Sequence, residues 1–243
     1  MTGAPVPPTL LLTRPQAQSQ PLAAALEAEG WRTIVWPLLE IVDVGPPPDL
    51  SGAQAVLLSS ANAARRLGLC DIPALCVGPA TAEAASRTGA RNVLSADGDA
   101  DALARLAART LLPEKGPVLF ARGAEVAGNL AGALMAAGFE VREQVVYAAR
   151  PARAAPFATA HALAAGEVAA VVFYSPRSAQ VFAGLAEGFR AGLARTAAVA
   201  ISAAAAVPLE GLGFGAVSVA ARPDGAAMLD AIRALREGGG AAS

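Results

Sequence analysis

Residues 11–30, LLTRPQAQSQPLAAALEAEG, lie without a gap over residues 119–138, LFARGAEVAGNLAGALMAAG. At this spacing of 108 residues (119 − 11) Arg14 meets Arg122, Leu22 meets Leu130, Leu26 meets Leu134 and Gly30 meets Gly138. Three more segments repeat in the same order. AVLLSSANAA (55–64) matches AVVFYSPRSA (170–179), which sets Ser60 over Ser175. ALCVGPATAEA (74–84) matches AVAISAAAAVP (198–208), and NVLSADGDADAL (92–103) resembles AVSVAARPDGAAML (216–229). Alanine identities carry little weight in so alanine-rich a chain; Arg, Ser, Leu and Gly in fixed order carry more. A chain built as a pseudo-twofold pair is expected to hold its ligand where equivalent loops converge, between the halves.

Each repeat unit begins with a short apolar run. TLLLTR has strand length, and Pro15 suits the start of the helix that ends at Gly30. WRTIVWPLLEIV reads as extended chain interrupted by Pro37, AVLLSS as a buried strand, and ANAARRLG as a helix capped by Ser60 or Asn62. ALCVG, NVLSA, VLFARG, VREQVVYAAR, AVVFYS, AVAIS and AVSVA read as further strands, with Asp99 or Asp101 capping ALARLAARTLL. Strands alternating with helices predict an α/β fold of two similar doubly wound parallel-sheet domains. In such sheets ligands lie beyond the carboxyl ends of the strands, which singles out Arg14, Ser59, Ser60, Gly78, Thr81, Arg122, Ser175, Ser178 and Ser202.

Composition narrows the functional classes. Of 243 residues, 54% are hydrophobic and 5% aromatic, enough for two aliphatic cores. A net charge of −1 gives no basis for nucleic-acid binding. The opening MTGAPVPPTL lacks a basic segment and an apolar segment, so it does not read as an export signal, and no run approaches bilayer-spanning length. Cys70 and Cys76 suit reduced thiols, and the expected location is the cytoplasm. His161 is the single histidine and reads as a solvated helix residue, so no metal site is expected, nor a Ser-His-Asp triad. No glycine-rich phosphate loop follows any strand, which argues against a nucleotide, and no cofactor is expected. What recurs is small hydroxyl residues, arginine and helix N-termini, an inventory for carboxylates or phosphates. VGPATAEA reads equally as a tight turn or as an anion cradle. Arg14 and Arg122 read equally as ligand contacts or as braces of strand ends.

Taken together these segments resemble the uroporphyrinogen-III synthase family. The residues that carry the likeness are LLLTRP (10–15), WPLLEI (36–41), LLSSANAA (57–64), VGPATAEA (77–84), LFARG (119–123), VVYAAR (145–150) and FYSPRSAQ (173–180). Simple duplication would give domains of 1–112 and 113–243. The resemblance implies an exchange instead: residues 1–37 and 147–243 form one discontinuous domain and 38–146 an inserted one. Two extended crossings would join them as a hinge across a cleft. The implied reaction closes the linear tetrapyrrole hydroxymethylbilane to uroporphyrinogen III, with inversion of the terminal ring and loss of water. The implied enzyme is a monomer without cofactor or metal, and its possible partner is the preceding bilane-forming enzyme. By resemblance Tyr147 is the catalytic acid. Arg14, Ser60, Asn62, Thr81, Arg122, Ser175, Ser178 and Ser202 are the expected substrate contacts, with Thr81, Ser175 and Ser178 matched to the family's loops. One departure stands out: the second Gly-x-x-Thr-Ala turn reads ISAAAA (201–206), with Ala204 and Ala205 where the family often has threonine. That loss motivates the alternative of a non-catalytic tetrapyrrole- or anion-binding module. A two-lobed solute-binding protein is disfavoured by the opening residues.

Overall fold

The apolar run Thr9–Leu12 forms strand β1, and Pro15 opens helix α1 (Gln16–Ala28), which gives way at Gly30 with φ +81°. Next come β2 (Arg32–Val35), β3 (Leu39–Asp43), β4 (Ala55–Leu58), α2 (Ala61–Ala64), β5 (Ala74–Cys76) and α3 (Pro79–Arg87). β6 (Val93–Ser95), α4 (Ala100–Thr110), β7 (Val118–Gly123), α5 (Leu130–Ala136), β8 (Val141–Pro151) and α6 (Phe157–Ala164) continue the chain. It ends with β9 (Val168–Phe173), α7 (Pro176–Leu185), β10 (Ala197–Ala200), α8 (Ala203–Ala206), β11 (Ala216–Val219) and α9 (Gly225–Gly238). This computed structural model describes residues 7–125 and 128–238.

The chain forms two compact units, the first comprising residues 1–40 and 151–243, the second 41–150. The first unit holds a sheet in the order β11-β10-β9-β1-β2, every neighbouring pair parallel. The other sheet runs β3-β8-β7-β4-β5-β6, parallel from β8 to β6. Here the repeat shows as topology, because β1 and β7 occupy the same place in the two orders. β1 hydrogen-bonds to β9, far along the chain, while β7 pairs with β4.

Strand side chains alternate between faces, and both faces are covered. In the first unit Leu11, Val171 and Phe173 pack with Leu163 of α6 and Phe182 of α7, whereas Leu10, Leu12 and Val172 pack with Leu26 of α1 and with Met228 and Ile232 of α9. In the second unit Val56, Leu58 and Ala121 face α2 and α3 through Ala63, Ala64 and Ala85, while Leu57 and Phe120 face Leu103 of α4 and Leu134 of α5. The parallel α/β architecture therefore agrees with the reading of the sequence. One element differs: ANAARRLG was expected as a helix, but only Ala61–Ala64 is helical. The chain then turns through Gly68 at φ +70°, a conformation that favours glycine.

Candidate functional site

Small hydroxyl residues close several strands because each starts the next helix. Ser60, Ser175 and Ser202 are extended at φ −156°, −161° and −157°. Their Oγ atoms accept hydrogen bonds from the backbone N–H of Asn62 (3.0 Å), Ser178 (3.1 Å) and Ala205 (3.4 Å) respectively. Capping satisfies donors that a helix start leaves open. The Ser178 hydroxyl donates to the carbonyl of Ser175 at 2.9 Å, and Ser178 is only 5% exposed, so its role is chiefly to fix this turn. Asn62 accepts a bond from Arg65 at 2.6 Å. Thr81 sits in the first turn of α3 at 5% exposure. Its counterpart in the repeat, Ala205, is fully buried, so the residue lost from ISAAAA is a core position.

In the first unit these turns build a pocket of about 160 Å³ around Arg14, Gln18, Leu39, Tyr174, Ser175 and Ser178. Thr13, which is 1% exposed, anchors the strand end below it by donating to the carbonyl of Val172 at 2.6 Å. Arg14 Nε donates to Gln18 Oε1 at 3.0 Å, and its guanidinium carbon stands 4.5 Å from the centre of the Tyr174 ring. This contact orients the guanidinium by its attraction to the ring face. Among the described residues no carboxylate pairs with Arg14. Burial pushes the Tyr174 phenol upward, and the Arg14 charge only partly opposes it, so the phenol stays protonated as a donor. The pocket has room for a carboxylate arm. Its polar rim, Arg14, Tyr174 and Ser175, offers mostly donors.

The equivalent corner of the second unit is built differently. Arg122 Nε meets Glu143 Oε2 at 2.5 Å, and Nη1 donates to the carbonyl of Gly123 at 3.0 Å. Beyond Arg122 the β7–β8 register shifts and Gly123 comes opposite Tyr147. A Cβ on Gly123 would lie 2.7 Å from Tyr147 Cζ and 2.9 Å from Oη. Glycine therefore leaves the space in which the Tyr147 ring lies. Among the described residues the Tyr147 hydroxyl has no hydrogen-bond partner, while the ring packs on the apolar cluster beneath it.

Of the residues predicted from sequence, Arg14, Ser175 and Ser178 come together in one pocket, and Arg122 and Tyr147 are neighbours at one strand end. Ser60, Asn62, Thr81 and Ser202 lie at the starts of α2, α3 and α8, following the carboxyl ends of β4, β5 and β10. Tyr174 was missed. Its signal was available, since it is one of two tyrosines and directly precedes Ser175, but the repeat sets it over Ser59, and a repeat draws attention only to what its halves share. His161 is exposed on α6. No group of three or more His, Cys, Asp or Glu is placed to hold a metal among the described residues. No helix among them is long and apolar enough to cross a membrane.

Comparison with known proteins places this arrangement. The sequence matches the family described as uroporphyrinogen-III synthase HemD over residues 20–230. A search of curated protein sequences gave no match. Among solved structures, uroporphyrinogen-III synthetase from Helicobacter pylori superposes with a TM-score of 0.63 at 19% identity, covering 94% of this chain and 100% of that one. A mutant uroporphyrinogen III synthase from the extremely thermophilic bacterium Thermus thermophilus gives 0.48 at 18% identity, with coverage of 95% and 99%. The first likeness bears on the fold; the family match extends over most of the chain, from the middle of α1 into α9. The chain belongs to the uroporphyrinogen-III synthase family, lyases that cyclise hydroxymethylbilane in tetrapyrrole biosynthesis.

Proposed function

We propose that this chain cyclises hydroxymethylbilane by positioning it, with Tyr147 as the proton donor and the Arg14 pocket as a carboxylate receptor. The reaction demands little covalent help. Loss of the terminal hydroxyl as water leaves an azafulvene cation, which the substrate's own last pyrrole attacks at its substituted carbon. The resulting spiro intermediate rearranges to the inverted ring. Protonating the departing hydroxyl and holding the chain in one folded geometry are the tasks left to the protein. The observation that carries the reading is the Tyr147 hydroxyl, set in the space left by Gly123 and without a partner among the described residues. A phenol in that state has its proton available for a substrate oxygen.

In the first unit Arg14 and Tyr174 supply donors for a carboxylate arm, with Ser175 at the pocket rim and the start of α7 adding backbone N–H groups. In the second unit the start of α3 beside Thr81 is the corresponding anion-facing turn, while Arg122 holds Tyr147's neighbourhood through Glu143. Ser60 and Ser202 act as caps that keep the strand ends in place, and Asn62 holds Arg65 beside the first of them. The reading extends to a monomer acting in the cytoplasm on bilane delivered by the preceding bilane-forming enzyme. Buried free thiols at Cys70 and Cys76 support a reducing compartment.

The test is an assay that supplies hydroxymethylbilane and separates type I from type III product. The unassisted reaction gives only type I, so type III excess measures the enzyme. Tyr147→Phe is expected to slow type III formation by roughly 10- to 1000-fold with an unchanged thermal transition. A wild-type rate in that variant would remove Tyr147 from proton transfer.

A further inference from the structure

The opposite end of the first unit's sheet carries a second opening. A groove of about 970 Å³ runs along the amino ends of β1, β9, β10 and β11, on a floor of Pro8, Trp31, Ala169, Ala197, Ala216 and Leu235. A strand of four residues separates it from the Arg14 end, about 13 Å at 3.3 Å per residue. It is thus a separate place, and nothing in the cyclisation uses it.

Two guanidiniums, those of Arg195 and Arg236, edge this apolar trough, and Trp31 forms part of its floor. Trp31 is 4% exposed, and its indole Nε1 is buried without an acceptor. Buried tryptophan usually finds a partner for that N–H. The Arg236 guanidinium carbon stands over the indole, 4.2 Å from the ring centre, with one N–H committed to the backbone carbonyl of Glu29 at 2.6 Å. Arg195 gives one N–H to the carbonyl of Ala165 at 2.7 Å. Among the described residues neither guanidinium is paired with a carboxylate and no acidic side chain lines the groove. The nearby Glu29 carboxylate is already held by Arg233 through two contacts of 3.1 and 2.5 Å.

An apolar floor with donors only at its edge selects for a molecule that is apolar along its length and anionic at one end. We infer that this groove is a second binding site, for an amphipathic carboxylate. The carboxylate is received by Arg195 and Arg236, and the hydrocarbon portion lies along Ala169, Ala197, Ala216 and Leu235. Gly215 helps to shape the trough. A Cβ there would meet the carbonyl oxygen of Ala194 at 2.4 Å, so this position is confined to glycine and the backbone stays close-packed at the rim.

The probe is decanoate, titrated below its micellar range into the full-length protein and followed by calorimetry and tryptophan fluorescence. One decanoate per chain is expected, with a fluorescence change that is lost in Trp31→Phe. Acetate and decanol, which lack the chain and the charge respectively, should each bind at least tenfold more weakly. Arg195→Gln combined with Arg236→Gln should weaken decanoate at least tenfold. Because Arg236 also packs on Trp31, a second variant, Ala216→Trp on the exposed edge strand β11, fills the groove without touching the guanidiniums and should abolish binding. Type III formation should be unchanged in Ala216→Trp, which separates this site from the reaction. No saturable binding, equal binding of decanol and decanoate, or full affinity in Ala216→Trp would overturn the assignment.

Discussion

Arg14 and Arg122 hold the same position in the two halves of the repeat, yet they are in different chemical states. Arg14 rests on Tyr174 and Gln18 with no carboxylate partner among the described residues. Arg122 is neutralised by Glu143. The strand registers locate the cause. Leu12 of β1 pairs with Val35, and Phe120, the residue 108 positions later, pairs with Glu143. Val35 thus stands where the other half has the acid, and Tyr174 stands where it has Ser59. Two differences at equivalent positions leave the Arg14 guanidinium without a carboxylate partner and tie Arg122 into an ion pair.

Breaking the comparison should have its largest effect at the receptor. Arg14→Gln is expected to lower kcat/KM for type III formation by roughly 10- to 100-fold, the worth of a charge-assisted contact, with little change in thermal stability. Arg122→Gln should act mainly on stability, by up to about 1 kcal/mol for a half-exposed pair. Val35→Glu, which would give Arg14 the partner that Arg122 has, should reproduce the activity loss of Arg14→Gln. Equal activity losses at Arg14 and Arg122 would refute the division of roles.

Gly123→Ala tests the brace from the other side. The new methyl would press on the outer end of the Tyr147 ring, which can swing away at little structural cost. Activity should then fall roughly tenfold or more through misplacement of the hydroxyl, while the melting temperature moves little. If melting drops steeply and the residual rate per folded molecule is unaltered, Gly123 is only a packing residue.

The caps are common to both halves and sharpen the comparison on stability. Ser175→Ala and Ser60→Ala should each cost about 1 kcal/mol, measured by denaturant unfolding, and Ser175→Ala alone should also raise KM. The smallest effect is expected in acid. Asp99 and Asp224 cap α4 and α9, each accepting a backbone N–H, at 2.9 and 2.8 Å, and those bonds hold both carboxyls below the usual value. Their contribution is full above the ordinary carboxylate pKa of about 4 and is lost as pH falls through the lowered native values. Asp99→Ala and Asp224→Ala should therefore flatten the acid limb of the melting curve and leave its slope near neutrality unaltered.

Much of this was legible in the chain itself. The strands are apolar runs closed by Gly, Pro or a hydroxyl residue, so their places and parallel pairing follow from spacing. Of the paired cap candidates, Ser60 rather than Asn62 and Asp99 rather than Asp101 take the position, since such side chains compete for backbone donors; the cap at Ser175 was not read from the sequence. Helix lengths were less legible: α2 stops at Ala64 although ANAARRLG has good helix formers, because local propensity does not fix where the chain must turn into the next strand. In the site, Arg14 and Ser175 stood out because the repeat doubled them. Tyr174 and Glu143 did not, since each differs from its counterpart. The Arg122–Glu143 pair depends on a register between strands some twenty residues apart, which no local pattern sets.

The pairing of β1 with β9 also has a consequence in time. Residues 41–150 are contiguous and can close their core once that segment has left the ribosome. The first unit cannot, because β1 ends at Leu12 while its neighbour β9 begins only at Val168. At 5–20 residues per second, roughly 8 to 30 seconds pass before that edge can be satisfied. During synthesis TLLL can pair with β2 but keeps its other edge open, the kind of edge that invites pairing with other chains. Its brevity and the adjoining prolines, Pro7, Pro8 and Pro15, which cannot donate to a ladder, keep that interval safe.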